Sequence, residues 1–115
     1  MKTDPAVDRT LSALSDPTRR AVIDLLRAKP RRAGELADAL EMSAPALSRH
    51  LRVLRKCGLI VDDEPEHDAR VRIYRLRPEA FASLSDWLGE VEAFWGTQLR
   101  SLKAHADGRA ARRRK

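Results

Sequence analysis

Cysteine occurs once in this sequence, at Cys57. A single thiol makes no intrachain disulfide and no Cys-rich metal framework, a usage that fits a reducing cytoplasm, which is the expected location. Long apolar runs are missing as well. No stretch approaches the roughly 18 residues that a membrane span requires, so no membrane crossing is expected. The opening MKTDPAVDRT has neither an apolar core nor a cleavage-site pattern, so no secretory signal is expected. Histidine is sparse, with His50, His67 and His105 dispersed along the chain, and there is neither a glycine-rich phosphate loop nor a Gly-x-Ser-x-Gly elbow. Nothing here assembles a nucleophile, a base and an orienting group, so neither an enzyme nor a cofactor is expected.

What the 115 residues do contain is charge, 35% against 43% apolar residues, the balance of a soluble globular chain of one domain. The domain is expected over residues 1–107, with a basic disordered tail over 108–115. The net charge of +6 is unevenly placed, because RAARRRK at 109–115 holds five basic residues and no acid. The body is nearly neutral. Within it, residues 44–58 hold four basic residues and no acids, whereas DDEPEHD at 62–68 holds five acids. A segregated basic patch is the footprint of a polyanion binder, although charge alone fits an ordinary solvated helix face equally well.

Local signals divide the chain into elements. Val7 to Leu14 reads as a short helix. Asp16 followed by Pro17 starts the next one, since the carboxylate can accept from an orphan N–H and proline at the first position loses no bond. Val22, Leu25 and Leu26 form its stripe and Pro30 ends it. A weakly capped helix follows at GELADAL, and Ser43 caps another over 44–57 that Gly58 closes. The period then changes, and LIVDD and RVRIYRL read as two strands of a hairpin. Pro78 and Glu79 open a last helix to about His105.

The helix at 44–57 has two sides. Leu47, Leu51 and Leu54 fall within about 60° of one another, while Arg55, Ser48, Arg52, Pro45, Lys56 and Arg49 spread from about 80° to 200° on the other side. Small residues at its N-terminal end, Ser43, Ala44 and Pro45, allow close approach to a major groove about 12 Å wide, where Ser48 and Arg49 can reach base edges. Arg52, Arg55 and Lys56 are placed for phosphates, and His50 lies on the flank between phosphate and core. In the hairpin, Arg70 and Arg72 alternate with Val71 and Ile73 and so share a face that can reach DNA. The five acids before them would repel DNA unless the hairpin tip bends away.

Two helices joined by a short turn, with a capped basic helix second and a hairpin third, is the order of a winged helix-turn-helix. The expected class is therefore mainly α with a β-hairpin wing: four helices, two strands and a terminal helix. At this point LSALSDPTRRAVIDLLRAKPRRAGELADALEMSAPALSRHLRVLRKCGLI resembles the ArsR/SmtB family of winged-helix transcriptional repressors, through DPTRR, ELA and SRHLRVLRKCGL. That resemblance, which extends to Leu76, implies a homodimer on an inverted-repeat operator, with the second helix of the motif in the major groove and the hairpin as a wing. It also implies repression of transcription.

Many relatives sense metals, and the resemblance says where their ligands would stand. A Cys-x-Cys pair near GELADAL is missing, and on the terminal helix Asp86 is followed two residues later by Leu88 rather than histidine. This chain resembles a branch without the usual metal sites, and no metal is expected. His50 and Cys57 share a flank but stand about 10 Å apart along the axis, too far for one ion. Cys57 reads as a small core residue.

The terminal helix carries Leu84, Trp87, Leu88, Val91, Phe94, Trp95, Leu99 and Leu102 within an arc of about 140°, wider than the ~100° a helix needs against its own core. Part of that arc is expected to face a second copy of the chain, with tryptophan and phenylalanine of the kind enriched at interfaces. A rival reading makes this face the recruiting surface of a protein-interaction module and the basic helix incidental. Two-fold symmetry with double-stranded DNA would place half-sites about 34 Å apart on a near-palindrome. Glu41 stands in the turn where such motifs often have glycine, a cost of about 1 kcal/mol or more if φ is positive there. An inducer, if there is one, is not named by any of these residues.

Overall fold

The computed structural model describes residues 4–63 and 71–113, with side chains to residue 109. Helix α1 spans Pro5–Ala13 and α2 spans Pro17–Ala28. Each begins with an Asp–Pro pair: Asp4 accepts from Ala6 N, and Asp16 accepts from Thr18 N and Arg19 N at 2.8 and 3.1 Å. The two arginines of DPTRR close α1 from outside. Arg19 donates to the carbonyls of Ala13 and Ser12, and Arg20 donates to that of Leu14. Three terminal carbonyls are thereby satisfied by cations at the negative end of the helix dipole, in a helix with no basic residue in its own last turn.

A two-residue strand, β1 at Arg31–Arg32, precedes α3 at Ala33–Ala39. The arginine side chain before α3 has no acceptor to offer, so only half of a capping box forms, with Glu35 accepting from Arg32 N at 3.4 Å. Helix α4 spans Ala44–Lys56, capped by Ser43 Oγ, which accepts from Ala46 N. Strands β2 at Ile60–Asp62 and β3 at Ile73–Leu76 pair antiparallel, and β1 adds to the far edge of β3 in the order β1-β3-β2. A short 3-10 turn at Pro78–Phe81 leads into α5, Ala82–Arg113.

Helices α3 and α4 end in the same way. Leu59 N donates to Leu54 O and Gly58 N to Arg55 O; after α3, Met42 N donates to Ala37 O and Glu41 N to Asp38 O. Both are Schellman closures, which require a left-handed residue. Gly58 supplies it with φ 79°, and Glu41 supplies it with φ 53°. The turn between α3 and α4 is thus held in a conformation that its own residue disfavours.

One core holds the elements from α2 to β3. Val22 and Leu26 of α2, Leu36 of α3, Leu47, Leu51 and Leu54 of α4, then Leu59, Ile60 and Tyr74 are buried together. Each fully buried leucine contributes about 1.5–3 kcal/mol relative to exposure. Cys57 caps α4, is half-buried and packs against this cluster.

The chain divides into two compact units, Met1–Leu84 and Ser85–Lys115. Leu84 is buried in its own chain, while Trp87, Leu88, Phe94, Trp95, Leu99 and Leu102 along α5 are exposed and Val91 is half-buried. Phe94 and Trp95 meet edge to face, ring centroids 5.3 Å apart. The expected winged order holds, with differences at the strands and at both ends of the last helix, which opens at Ala82 after the 3-10 turn rather than at Pro78. β1 is too short to leave any periodicity. β3 begins at Ile73 rather than Arg70, because Val71 and Arg72 lie outside the ladder. The last helix continues past His105 to Arg113. Among the described residues, no helix is long and apolar enough to cross a membrane.

Candidate nucleic-acid interface

The buried leucines of α4 dictate which of its residues face out. Ser48, Arg49, Arg52, Arg55 and Lys56 are exposed, as are Ser43, Ala44 and Pro45 at its N-terminal end. An exposed basic surface one helix long results, with its smallest side chains at the N-terminus. The Ser43 hydroxyl is engaged as the cap.

His50 is placed differently from its neighbours. It is half-buried, and its Nδ1 lies 3.8 Å from Asp16 Oδ1, the cap of α2. The Asp16 carboxyl is held below the ordinary carboxylate range, first by the Arg19 N–H and then by the Thr18 N–H and the nearby His50 ring. The imidazole thus stands beside the cap of α2, at a separation longer than a hydrogen bond.

An open groove of about 710 Å³ separates α4 from the wing side. Ala33, Gly34 and Ala37 of α3, Pro45, Ser48 and Leu51 of α4, and Val71, Arg72 and Tyr74 line it. Ser48 and Arg72, expected to act from different elements, open onto the same space. Arg70, with His67 and the acids Glu64, Glu66 and Asp68, lies outside the described residues.

Acids near the wing are paired with bases. Asp62 stands 3.3 Å from both Arg55 Nη1 and Arg72 Nε, and Asp63 stands 3.4 Å from Arg75 Nε. Three of the basic groups beside the wing thus share their charge with these two aspartates. Sequence reasoning missed Arg75 and both aspartates as partners. Alternation along RVRIYRL carried a signal for Arg75, but nothing local indicated that Asp62 would meet a helix residue seven positions earlier. Among the described residues, no three His, Cys, Asp or Glu side chains gather as a metal site needs.

Comparison with known proteins bears directly on this geometry. Residues 16–61, from the cap of α2 into β2, match the family model described as bacterial regulatory protein, arsR family. The chain is 40% identical over 99 residues to the HTH-type transcriptional regulator Rv2034 of Mycobacterium tuberculosis, covering 86% of this chain and 87% of that protein. It is 38% identical over 56 residues to the transcriptional repressor SdpR of Bacillus subtilis, covering 49% and 62%. A crystal structure of an ArsR family transcriptional regulator superposes with a TM-score of 0.69 at 32% identity, covering 79% of this chain and 97% of that one. An ArsR-like transcriptional regulator from Rhodococcus sp. RHA1 gives a TM-score of 0.69 at 26% identity, covering 90% and 93%. The matched span contains the capped α2, the strained turn and the whole of the basic helix, and this chain belongs to the arsR family of bacterial regulatory proteins, DNA-binding winged helix-turn-helix transcriptional regulators rather than enzymes.

Proposed function

We propose that the protein is a cytoplasmic homodimeric repressor that binds a near-palindromic operator through α4 in the major groove. The observation that carries this reading is the division of α4, with Leu47, Leu51 and Leu54 buried and Ser48, Arg49, Arg52, Arg55 and Lys56 exposed on the other side. Ser48 and Arg49 read base edges from the N-terminal half of the helix, where Ala44 and Pro45 permit close approach. Arg52 and Lys56 hold phosphates. Arg70 and Arg72 extend the contact through the wing. The SdpR relative is itself described as a repressor, which supports the sign of regulation.

Dimerisation is supported by the exposed apolar side chains of α5, since a contiguous apolar surface of large side chains marks an interaction site. Residues 1–107 carry both the DNA-binding and the dimerising surfaces, and the basic residues at 108–115 add nonspecific attraction to DNA.

Sequencing DNA fragments selected by the purified protein tests binding, palindromy and half-site spacing together. With the selected site in hand, Arg49→Ala is expected to cost about 1–3 kcal/mol and relax preference at one base position. Arg52→Ala is expected to weaken all sequences alike and flatten the salt dependence. Equal losses of Arg49→Ala on operator and scrambled duplex would remove its base-reading role. The exposed face of α5 also favours a second reading, a module that recruits a partner protein. Failure to select any sequence, with affinity flat between about 50 and 200 mM salt, would favour it.

A further inference from the structure

The junction of α4 with the wing carries a charge arrangement that the helix alone does not explain. Arg55 projects from the last turn of α4, and Arg72 precedes β3 by one residue. Both meet one carboxylate oxygen: Arg55 Nη1 and Arg72 Nε each stand 3.3 Å from Asp62 Oδ2. The two cationic nitrogens are therefore at most twice that distance apart. Asp62 pairs with Tyr74 across β2 and β3, so its backbone is fixed, and its side chain is only 19% exposed against 44% for Arg55.

The two contacts differ in kind. Arg55 makes a formed hydrogen bond, whereas the buried Nε of Arg72 points off the oxygen and has no hydrogen-bond acceptor among the described residues. Its tie to Asp62 is coulombic. Two guanidinium groups this close repel each other, and the carboxylate between them offsets that repulsion while leaving a local charge of one cation. Each guanidinium carries five N–H donors in a planar fork, so one shared oxygen occupies only a small part of either fork. Arg72 also lines the groove that Ser48 lines, and Ser48 and Arg55 lie within about 20° of each other around α4.

We propose that Arg55 and Arg72 form one anion site, taking a single DNA backbone phosphate where the recognition helix meets the wing, with Asp62 as the residue that positions both. This rests on the DNA-binding reading above. A phosphate seated there ties α4 and the wing to one point on the backbone and so sets the register in which Ser48 and Arg49 meet the bases. An aspartate that would otherwise only repel DNA acts in favour of binding.

The test uses the full chain and its selected duplex, with single uncharged methylphosphonates walked along each strand. Binding is measured over about 50 to 200 mM salt for the unaltered protein, Arg55→Gln, Arg72→Gln, the double variant and Asp62→Asn. One phosphate per half-site is expected whose neutralisation weakens the unaltered protein about tenfold and leaves both glutamine variants unchanged. The single and double variants, altered in both subunits, should show the same loss of about a hundredfold, each with a salt slope flatter by about 2. Asp62→Asn should also weaken binding, and its effect should vanish in the Arg55→Gln background.

Losses that multiply to about ten-thousandfold in the double variant, with the slope flatter by about 4, mean two separate contacts per subunit and overturn the site. Tighter binding by Asp62→Asn overturns it too, since the acid is then only a repellent. These outcomes leave the DNA-binding reading standing, whereas failure of the unaltered protein to bind any duplex removes both. Arg55 is exposed, so even if changes at Arg72 or Asp62 disturb folding, the site is overturned when every methylphosphonate that weakens the unaltered protein also weakens Arg55→Gln.

Discussion

Helices α4 and α5 both carry leucines at helical spacing and meet opposite fates. In α4, Leu47, Leu51 and Leu54 are 1%, 4% and 0% exposed; in α5, Trp95, Leu99 and Leu102 are 55%, 59% and 64% exposed. Helical periodicity says which residues share a face, and says nothing of what covers it. The α4 stripe is narrow and is covered by α2, α3 and the sheet of its own chain. The wide α5 stripe leaves large side chains in water, the condition under which a second polypeptide gains most by covering them.

The largest effect that separates the two helices is expected at Leu54. Leu54→Ala should destabilise folding by about 2–5 kcal/mol, because the cavity opens in a closed core, and urea unfolding monitored by circular dichroism would measure it. A loss below about 1 kcal/mol would mean that α4 is less firmly seated than its burial indicates.

Trp95→Ala should do the reverse. Folding of the isolated subunit should change by no more than about 0.5 kcal/mol, while self-association weakens by about 2 kcal/mol or more if the α5 face is the dimer contact. Sedimentation equilibrium measures the second quantity, and an unchanged dissociation constant would exclude Trp95 from that contact.

Smaller effects probe how α4 is held at its ends. Glu41→Gly relieves a left-handed residue in the turn before α4 and should stabilise the fold by about 1 kcal/mol, seen as a rise in melting temperature. Gly58→Ala at the matching turn after α4 should destabilise instead, since its φ of 79° disfavours a side chain. If both substitutions moved stability the same way, the two closures would not be equivalent.

The smallest effect concerns the α2 cap beside His50. The Asp16 carboxyl is depressed below its ordinary value of 3.8, so the stability it contributes is present above that pH and is lost as pH falls through the folded value. Asp16→Asn keeps an acceptor oxygen for the cap and abolishes the titration. The unaltered protein should therefore lose more stability between neutral pH and acid than the asparagine variant, and identical acid profiles would show that the carboxylate charge contributes nothing.

Residues that announced their elements did so through local chemistry. The Asp16–Pro17 start, the Ser43 cap, the Gly58 stop and the leucine spacing of α4 each act within four or five residues, and each stands where its local signal put it. Strand β1 gave no such signal, because two residues held by pairing with Tyr74 and Ile73 have no period of their own. The bracing of α1 by Arg19 and Arg20 was equally silent, since any exposed arginine in a first turn looks the same in sequence.

By itself the sequence determined where α2 and α4 start, the two-sided character of α4 and the glycine stop that closes it. Caps, glycine and helical period are short-range properties of the chain, and they need no neighbour to take effect. Only the tertiary structure decided that His50 turns to Asp16, that Ser48 and Arg72 share a groove, and that one oxygen of Asp62 gathers Arg55 and Arg72. Those pairings join residues from different elements, and charge acts through space, so they exist only once the core has brought α4 and the wing together.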